Sequence, residues 1–204
     1  MKVKICGITS MDDALMACEY RADALGFVFY KKSPRYIAPE DAQVIIERIP
    51  AFVSTVGVFV DEDRKRLYAA MDTSGIDYAQ LHGDEPIAMV HRLGRKAIKA
   101  FRVRDGGSIE QVNRSGLRVV LLDGYTEAYG GSGRGFDLGL LKGLSEDIRV
   151  VLAGGITPDN AVEIARTYRP YAIDVSSGVE ESPGKKSREK LRLLFERLAD
   201  AGIR

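Results

Sequence analysis

Short β-branched runs alternate eight times with longer charged segments whose apolar residues recur at helical spacing, and few folds can accommodate that rhythm. The runs lie at 3–6, 24–29, 53–59, 78–81, 97–101, 119–123, 150–153 and 172–175. Each is followed by one helix-forming segment, beginning near Met11, Pro39, Asp63, Pro86, Ser108, Asp137, Pro158 and Ser187. Pro39, Pro86 and Pro158 stand where a first helical turn is expected, a place that tolerates proline because its N–H groups have no partner within the helix. Ser10 and Asp159 supply oxygens for nearby helix starts. Repeated strand–helix units build a parallel sheet covered by helices. Eight units of roughly 25 residues predict a compact closed (β/α)8 TIM barrel, near the lower size limit of that α/β architecture. An open doubly wound sheet is the second choice.

A chain of 204 residues, 45% of them hydrophobic, can bury one substantial core, so residues 1–204 are expected to form a single domain. The formal charge is +1, which gives no general attraction to nucleic acid or to an anionic membrane. Any anion must therefore be held locally. Cys6 and Cys18 are too few for a disulfide framework and are expected to be free thiols. The N-terminus lacks the apolar stretch of a secretory signal. The longest strongly apolar run, 52–60, is far short of the roughly 20 residues that cross a bilayer. A cytoplasmic protein without a membrane partner is expected.

In a barrel of this kind the active site lies at the C-terminal ends of the strands, so polar residues there carry a functional reading. Four strand ends provide them: Cys6-Gly7, Gln80-Leu81-His82-Gly83, Asp123-Gly124 and Asp174-Val175-Ser176-Ser177-Gly178. Strand seven ends instead in Ala153-Gly154-Gly155. Small residues after the last two strands let backbone N–H groups approach a phosphate closely, and helix N-termini add favourable dipole. Cys6 at the barrel mouth is a candidate base or nucleophile, provided a cation or dipole favours its thiolate. Asp123 ends an apolar run, where burial would favour the protonated carboxyl that a general acid needs. Asp174 has the same strand-end character and can orient substrate or pair with Lys4, which shares a strand face with Cys6. Arg35, stiffened by Pro34, offers a fork suited to a planar carboxylate.

Two histidines, His82 and His91, exclude a histidine-rich metal centre. Lys4 and Lys99 lie on strands and keep a Schiff-base aldolase open as a chemical rival, although a strand lysine here more often serves as a paired structural charge. The glycine-rich segment 124–135 follows strand six and is a candidate lid.

These residues resemble one known family, phosphoribosylanthranilate isomerase of tryptophan biosynthesis, nearly end to end. The marks are Lys4-Ile5-Cys6-Gly7-Ile8-Thr9, Ser33-Pro34-Arg35, Gln80-Leu81-His82-Gly83, Leu121-Leu122-Asp123, Gly130-Gly131-Ser132-Gly133, Phe136-Asp137, Leu152-Ala153-Gly154-Gly155-Ile156 and Asp174-Val175-Ser176-Ser177-Gly178-Val179-Glu180. Arg134-Gly135 and Ser176 depart from the family pattern but leave the proposed acid and base untouched. The resemblance implies a cofactor-free Amadori rearrangement of a small phosphoribosyl substrate, with Asp123 as acid and Cys6 as base. It further implies that Arg35 holds the anthranilate carboxylate and that Gly154, Gly155, Ser176, Ser177 and Gly178 hold the phosphate. Gln80, His82 and Asp174 are supporting contacts on this reading. The rivals are the histidine-pathway phosphoribosyl isomerase, which typically carries aspartate in place of Cys6, and a non-catalytic phosphosugar-binding barrel. Monomer and homodimer both remain open.

Overall fold

Strand Lys2–Cys6 pairs on one side with the second strand and on the other with the eighth, and this double pairing closes the sheet. The computed structural model describes residues 1–124 and 138–204. The eight parallel strands are β1 (Lys2–Cys6), β2 (Ala24–Val28), β3 (Ser54–Phe59), β4 (Tyr78–Leu81), β5 (Ala97–Val103), β6 (Val119–Gly124), β7 (Arg149–Ala153) and β8 (Ala172–Val175), bonded in sequence order. The expected closed barrel is therefore the fold, and the open sheet is not.

Among the described residues seven α-helices surround it: α1 (Met11–Glu19), α2 (Pro39–Ile46), α3 (Arg64–Ser74), α4 (Ile87–Leu93), α5 (Gly106–Arg114), α6 (Ala161–Tyr168) and α7 (Arg188–Asp200). Ser10, Asp63, Asp105 and Ser187 cap four of them by accepting first-turn backbone N–H bonds, each cap satisfying donors the helix cannot satisfy itself. Pro39 occupies the first turn as expected. Pro86 instead precedes its helix as the cap residue. Pro158 falls in a turn, where Asn160 Oδ1 accepts from Thr157 N at 2.8 Å, and α6 starts at Ala161.

A sixth long helix does not follow β6 among the described residues. A short 3₁₀ helix, Leu138–Gly143, takes that place, consistent with the helix-weakening Gly139 and Gly143 in so short a stretch. The expected helix start at Asp137, and the segment 125–135 of the candidate lid, lie outside the described residues. A feature that sequence reading did not anticipate is the hairpin of β9 (Glu180–Ser182) and β10 (Lys185–Lys186).

Alternation along each strand sorts side chains into two layers. Outward residues such as Ile5, Phe27, Leu81, Leu122 and Ile173 join the helices in the main core, each fully buried aliphatic side chain contributing roughly 1.5–3 kcal/mol. Inward residues fill the barrel: Ala100, Leu121, Val151, Ala153 and Ala172 on one side, and Cys6, Val28 and Val58 on the other. Lys4 and Cys6, Gln80, Asp123 and Asp174 belong to this inward register, which carries polar groups up to the C-terminal mouth. At the opposite, N-terminal end a cavity of ≈ 600 Å³ is lined by Lys2, Phe52, Ser54, Tyr78, Ile98 and Tyr171, among others. It holds neither Cys6 nor Asp123, and it occupies the end of the barrel where this architecture keeps stability rather than chemistry.

Candidate active site

Cys6 ends β1 on the inward face, 8% exposed. Burial pushes its thiol pKa above the ordinary value, and the charge of Asp174 adds to that; the charges of Lys4 and Lys186 pull the other way without overcoming it. The favourable cations expected from the sequence are thus present but outweighed. Lys186 Nζ donates to the Cys6 carbonyl at 2.5 Å and to Glu180 Oε1 at 2.7 Å, fixing the backbone that carries the thiol.

Asp123 lies one residue from the end of β6, and its side chain is 19% exposed. The carboxyl therefore stands at the mouth of the barrel rather than deep inside it. Its Oδ2 lies 3.1 Å from His82 Nε2, and His82 Nδ1 lies 2.8 Å from Gln80 Nε2. Gln80 is 1% exposed, and its Oε1 accepts from Lys4 Nζ at 2.9 Å. Lys4 Nζ also donates to Asp174 Oδ2 at 2.8 Å, with both side chains buried. Burial lowers the Lys4 pKa, but Asp174 and Cys6 more than offset that and hold it above the usual lysine range. Asp174 Oδ1 is buried with no hydrogen-bond partner among the described residues. An acceptor left bare in a buried place is costly unless something arrives to fill it.

The two rival lysines are accounted for differently. Lys99 donates to Glu85 Oε2 at 2.8 Å and to the Gly83 carbonyl at 2.7 Å, a paired structural charge. Lys4 lies inside the barrel, locked between Asp174 and Gln80, and with Gln80 it also borders the N-terminal cavity.

Arg35 is held by Glu180: Nε lies 2.9 Å and 3.1 Å from the two carboxylate oxygens, and Nη2 lies 2.7 Å from Oε2. Burial raises the Glu180 pKa, yet hydrogen bonds from Arg35 and the charge and hydrogen bond of Lys186 hold it below the ordinary glutamate value. Sequence reading assigned no function to Glu180 and Lys186. The available signal was the run Glu180-Glu181-Ser182-Pro183-Gly184-Lys185-Lys186, an acidic strand, a turn dipeptide and a basic strand.

The small-residue turns stand at the same mouth. Gly154 has φ +90° and Gly155 φ +66°, left-handed conformations that glycine adopts without strain. A side chain at position 154 would place its Cβ 2.6 Å from Asp123 Oδ1, so the turn after β7 lies directly against the carboxyl. Ser176 and Ser177-Gly178 follow β8, the latter opening a one-turn 3₁₀ helix that ends at Val179. Ser176 Oγ and the Arg35 side chain both stand over Gly7, which brings the loops after β1, β2 and β8 together. The geometry offers a thiol, a carboxyl, a held cation and two glycine- and serine-rich turns around one opening, a set suited to acid–base work on a small phosphorylated molecule.

The chain matches the family model for N-(5'-phosphoribosyl)anthranilate isomerase over residues 3–197. It is 50% identical over 192 residues to the N-(5'-phosphoribosyl)anthranilate isomerase of Geobacter sp. strain M21, covering 94% of both chains. The crystal structure of the Thermus thermophilus enzyme superposes with a TM-score of 0.90 at 45% identity, covering 98% of this chain and 99% of that one. A second solved isomerase, in complex with reduced 1-(o-carboxyphenylamino)-1-deoxyribulose 5-phosphate, gives 0.84 at 37% identity over 98% and 99% of the two chains. A third, described as monomers generated from the dimeric enzyme of Thermotoga maritima, gives 0.86 at 36% identity over 98% of each chain. With a fold and a sequence that agree over almost its whole length, this chain belongs to the phosphoribosylanthranilate isomerase family.

Proposed function

We propose that the protein converts N-(5'-phosphoribosyl)anthranilate to its aminoketose by an Amadori rearrangement in which Asp123 is the acid and Cys6 the base. The observation that carries this reading is the inward placement of both groups at one mouth, with a glycine turn against the acid. Asp123 gives its proton to the ribose ring oxygen; the C1–O bond breaks as the anthranilate nitrogen lone pair forms an iminium. Cys6 takes the proton from C2, and those electrons make the C1–C2 double bond while neutralising the iminium. The enolamine then tautomerises, taking a proton at C1 and releasing the one on the C2 oxygen, so no proton is gained or lost overall. The iminium brings a positive charge into a site where burial disfavours the thiolate, and opposite charges in a dry opening attract strongly.

Gly154, Gly155, Ser176, Ser177 and Gly178 hold the phosphate on this reading, supported by the left-handed glycines and the Ser-Ser-Gly turn. Arg35 holds the anthranilate carboxylate; Glu180 occupies its Nε and Nη2, and a guanidinium carries five N–H donors, so donors remain. Asp174 Oδ1, the bare buried acceptor, takes a ribose hydroxyl. Residues 1–204 act as one domain, a reading supported by first-to-last strand closure. The protein works in the cytoplasm on this reading, as its free cysteines suit; no helix among the described residues is long and apolar enough to cross a membrane.

We further infer a homodimer. A family relative is described as dimeric, and here Phe52 is wholly exposed beside the N-terminal cavity, with Tyr78 and Tyr171 partly exposed at the same end.

The test of the catalytic roles is turnover of the anthranilate substrate by Cys6→Ala and Asp123→Asn. Each is expected to fall at least about a hundredfold with the folded state intact, the usual cost of losing a placed proton donor or acceptor. Turnover like that of the unmodified protein in either variant removes that residue's role.

A further inference from the structure

A continuous line of donors and acceptors runs from the barrel interior to its mouth, from Asp174 through Lys4, Gln80 and His82 to Asp123, with successive separations of 2.8, 2.9, 2.8 and 3.1 Å. Its direction follows from chemistry. An ammonium only donates, so the Gln80 atom facing Lys4 must be the carbonyl oxygen, and the amide NH₂ must face His82. The Nδ1 it meets must then accept, which leaves the ring proton on Nε2, pointing at Asp123 Oδ2. Lys4 and Gln80 are 6% and 1% exposed and border the N-terminal cavity, and it is the bonds of Lys4 to Asp174 and of Gln80 to both neighbours that hold this order. Turning Gln80 over would set its NH₂ against the ammonium.

We propose that Lys4 and Gln80 are positioning residues that lock His82 as its Nε2–H tautomer, so that Asp123 is held through Oδ2 and offers Oδ1 to the substrate. The inference rests on Asp123 being the acid. With the opposite tautomer, Nε2 would be an acceptor facing Asp123, and a protonated carboxyl would give its proton to the ring instead of the sugar. Oδ1 is also the oxygen that lies against Gly154, on the side of the proposed phosphate turn. The same ammonium stands beside the base: a Cβ at Gly26 would lie 2.6 Å from Cys6 Sγ and 3.0 Å from Lys4 Cε. One buried cation thus adjoins the base directly and reaches the acid through two side chains. The charged groups acting on Cys6 are Lys4, Asp174 and Lys186, while His82 bonds Asp123.

The experiment is nitrogen-15 NMR of the histidine rings at neutral pH, with exposed His91 as the internal contrast. The unmodified protein is expected to show a single Nε2–H tautomer for His82. Gln80→Glu should invert it to Nδ1–H, because a carboxylate accepts from both Lys4 and the ring. In that variant kcat should fall by about tenfold or more, as a wrongly protonated imidazole does in hydrolytic triads, with KM changed less than about threefold. An Nδ1–H or mixed tautomer in the unmodified protein overturns the proposal, and that spectrum decides even if Gln80→Glu does not fold. An unchanged tautomer in folded Gln80→Glu overturns it equally. Full turnover in Asp123→Asn would remove the acid while leaving the tautomer as it is, so the two failures are separable.

Discussion

Cys6 stands between opposed influences: burial and the Asp174 carboxylate raise its pKa, Lys4 and Lys186 lower it, and the sum is upward. In the free protein the thiolate therefore becomes the main form at a higher pH than for an ordinary thiol, and its fraction rises with pH. In a Cys18→Ser background, the rate of iodoacetamide alkylation of Cys6 should climb with a midpoint above about 8.5, the value of an unperturbed thiol; a midpoint below it would refute this balance. Cys6, Gln80, His82, Asp123 and Asp174 were legible as a group because each ends a recognisable strand and alternation places them on one side of it. The upward shift of the thiol was not legible. It depends on how deeply the sulfur is covered, and the sequence gives only neighbours along the chain. Lys186 was missed for a related reason: it meets the Cys6 carbonyl from 180 positions away.

At the level of elements, the β9–β10 hairpin acts as a clamp on the loop after β1. Its Lys186 side chain is 0% exposed and its Glu180 side chain 4%; burial pushes the lysine below its ordinary pKa, against the charge of Glu180. Removing one member of such a pair strands the other. Glu180→Ala should therefore destabilise the fold by about 3–5 kcal/mol, read from urea unfolding at neutral pH, whereas a loss under about 1 kcal/mol would show that the clamp carries little. The sign of the pH dependence follows from Glu180's depressed pKa. Its contribution is complete above the ordinary carboxylate value and is lost as pH falls through the folded-state value, so the deficit of the variant should shrink in acid. Strand positions were read to within two residues because β-branched runs announce themselves. Helix starts were less legible: α6 begins three residues beyond Pro158 because Asn160 and Thr157 form their own turn first.

For the whole molecule, eight beats of strand and helix of nearly equal length made closure the first choice over an open doubly wound sheet, since eight such units are the number a closed barrel needs. The chemistry of the C-terminal end was legible from its polar strand ends, but the N-terminal end was given no purpose from sequence alone, and Phe52 in particular drew notice only as part of an apolar run. Fully exposed beside a cavity, it suits a two-fold interface in which each copy fills the other's opening. Sedimentation velocity at micromolar concentration should show a dimer that Phe52→Asp converts to monomer while turnover persists; a monomeric unmodified protein would remove the interface.

The contact between Gly154 and Asp123 ties together two tasks that a designer would want to keep apart. On the roles proposed above, the turn that grips the tail of the sugar touches the oxygen that ruptures its ring, so preference for a new tail and competence in ring opening are expected to change in step. Enlarging one without disturbing the other has no obvious route in this scaffold.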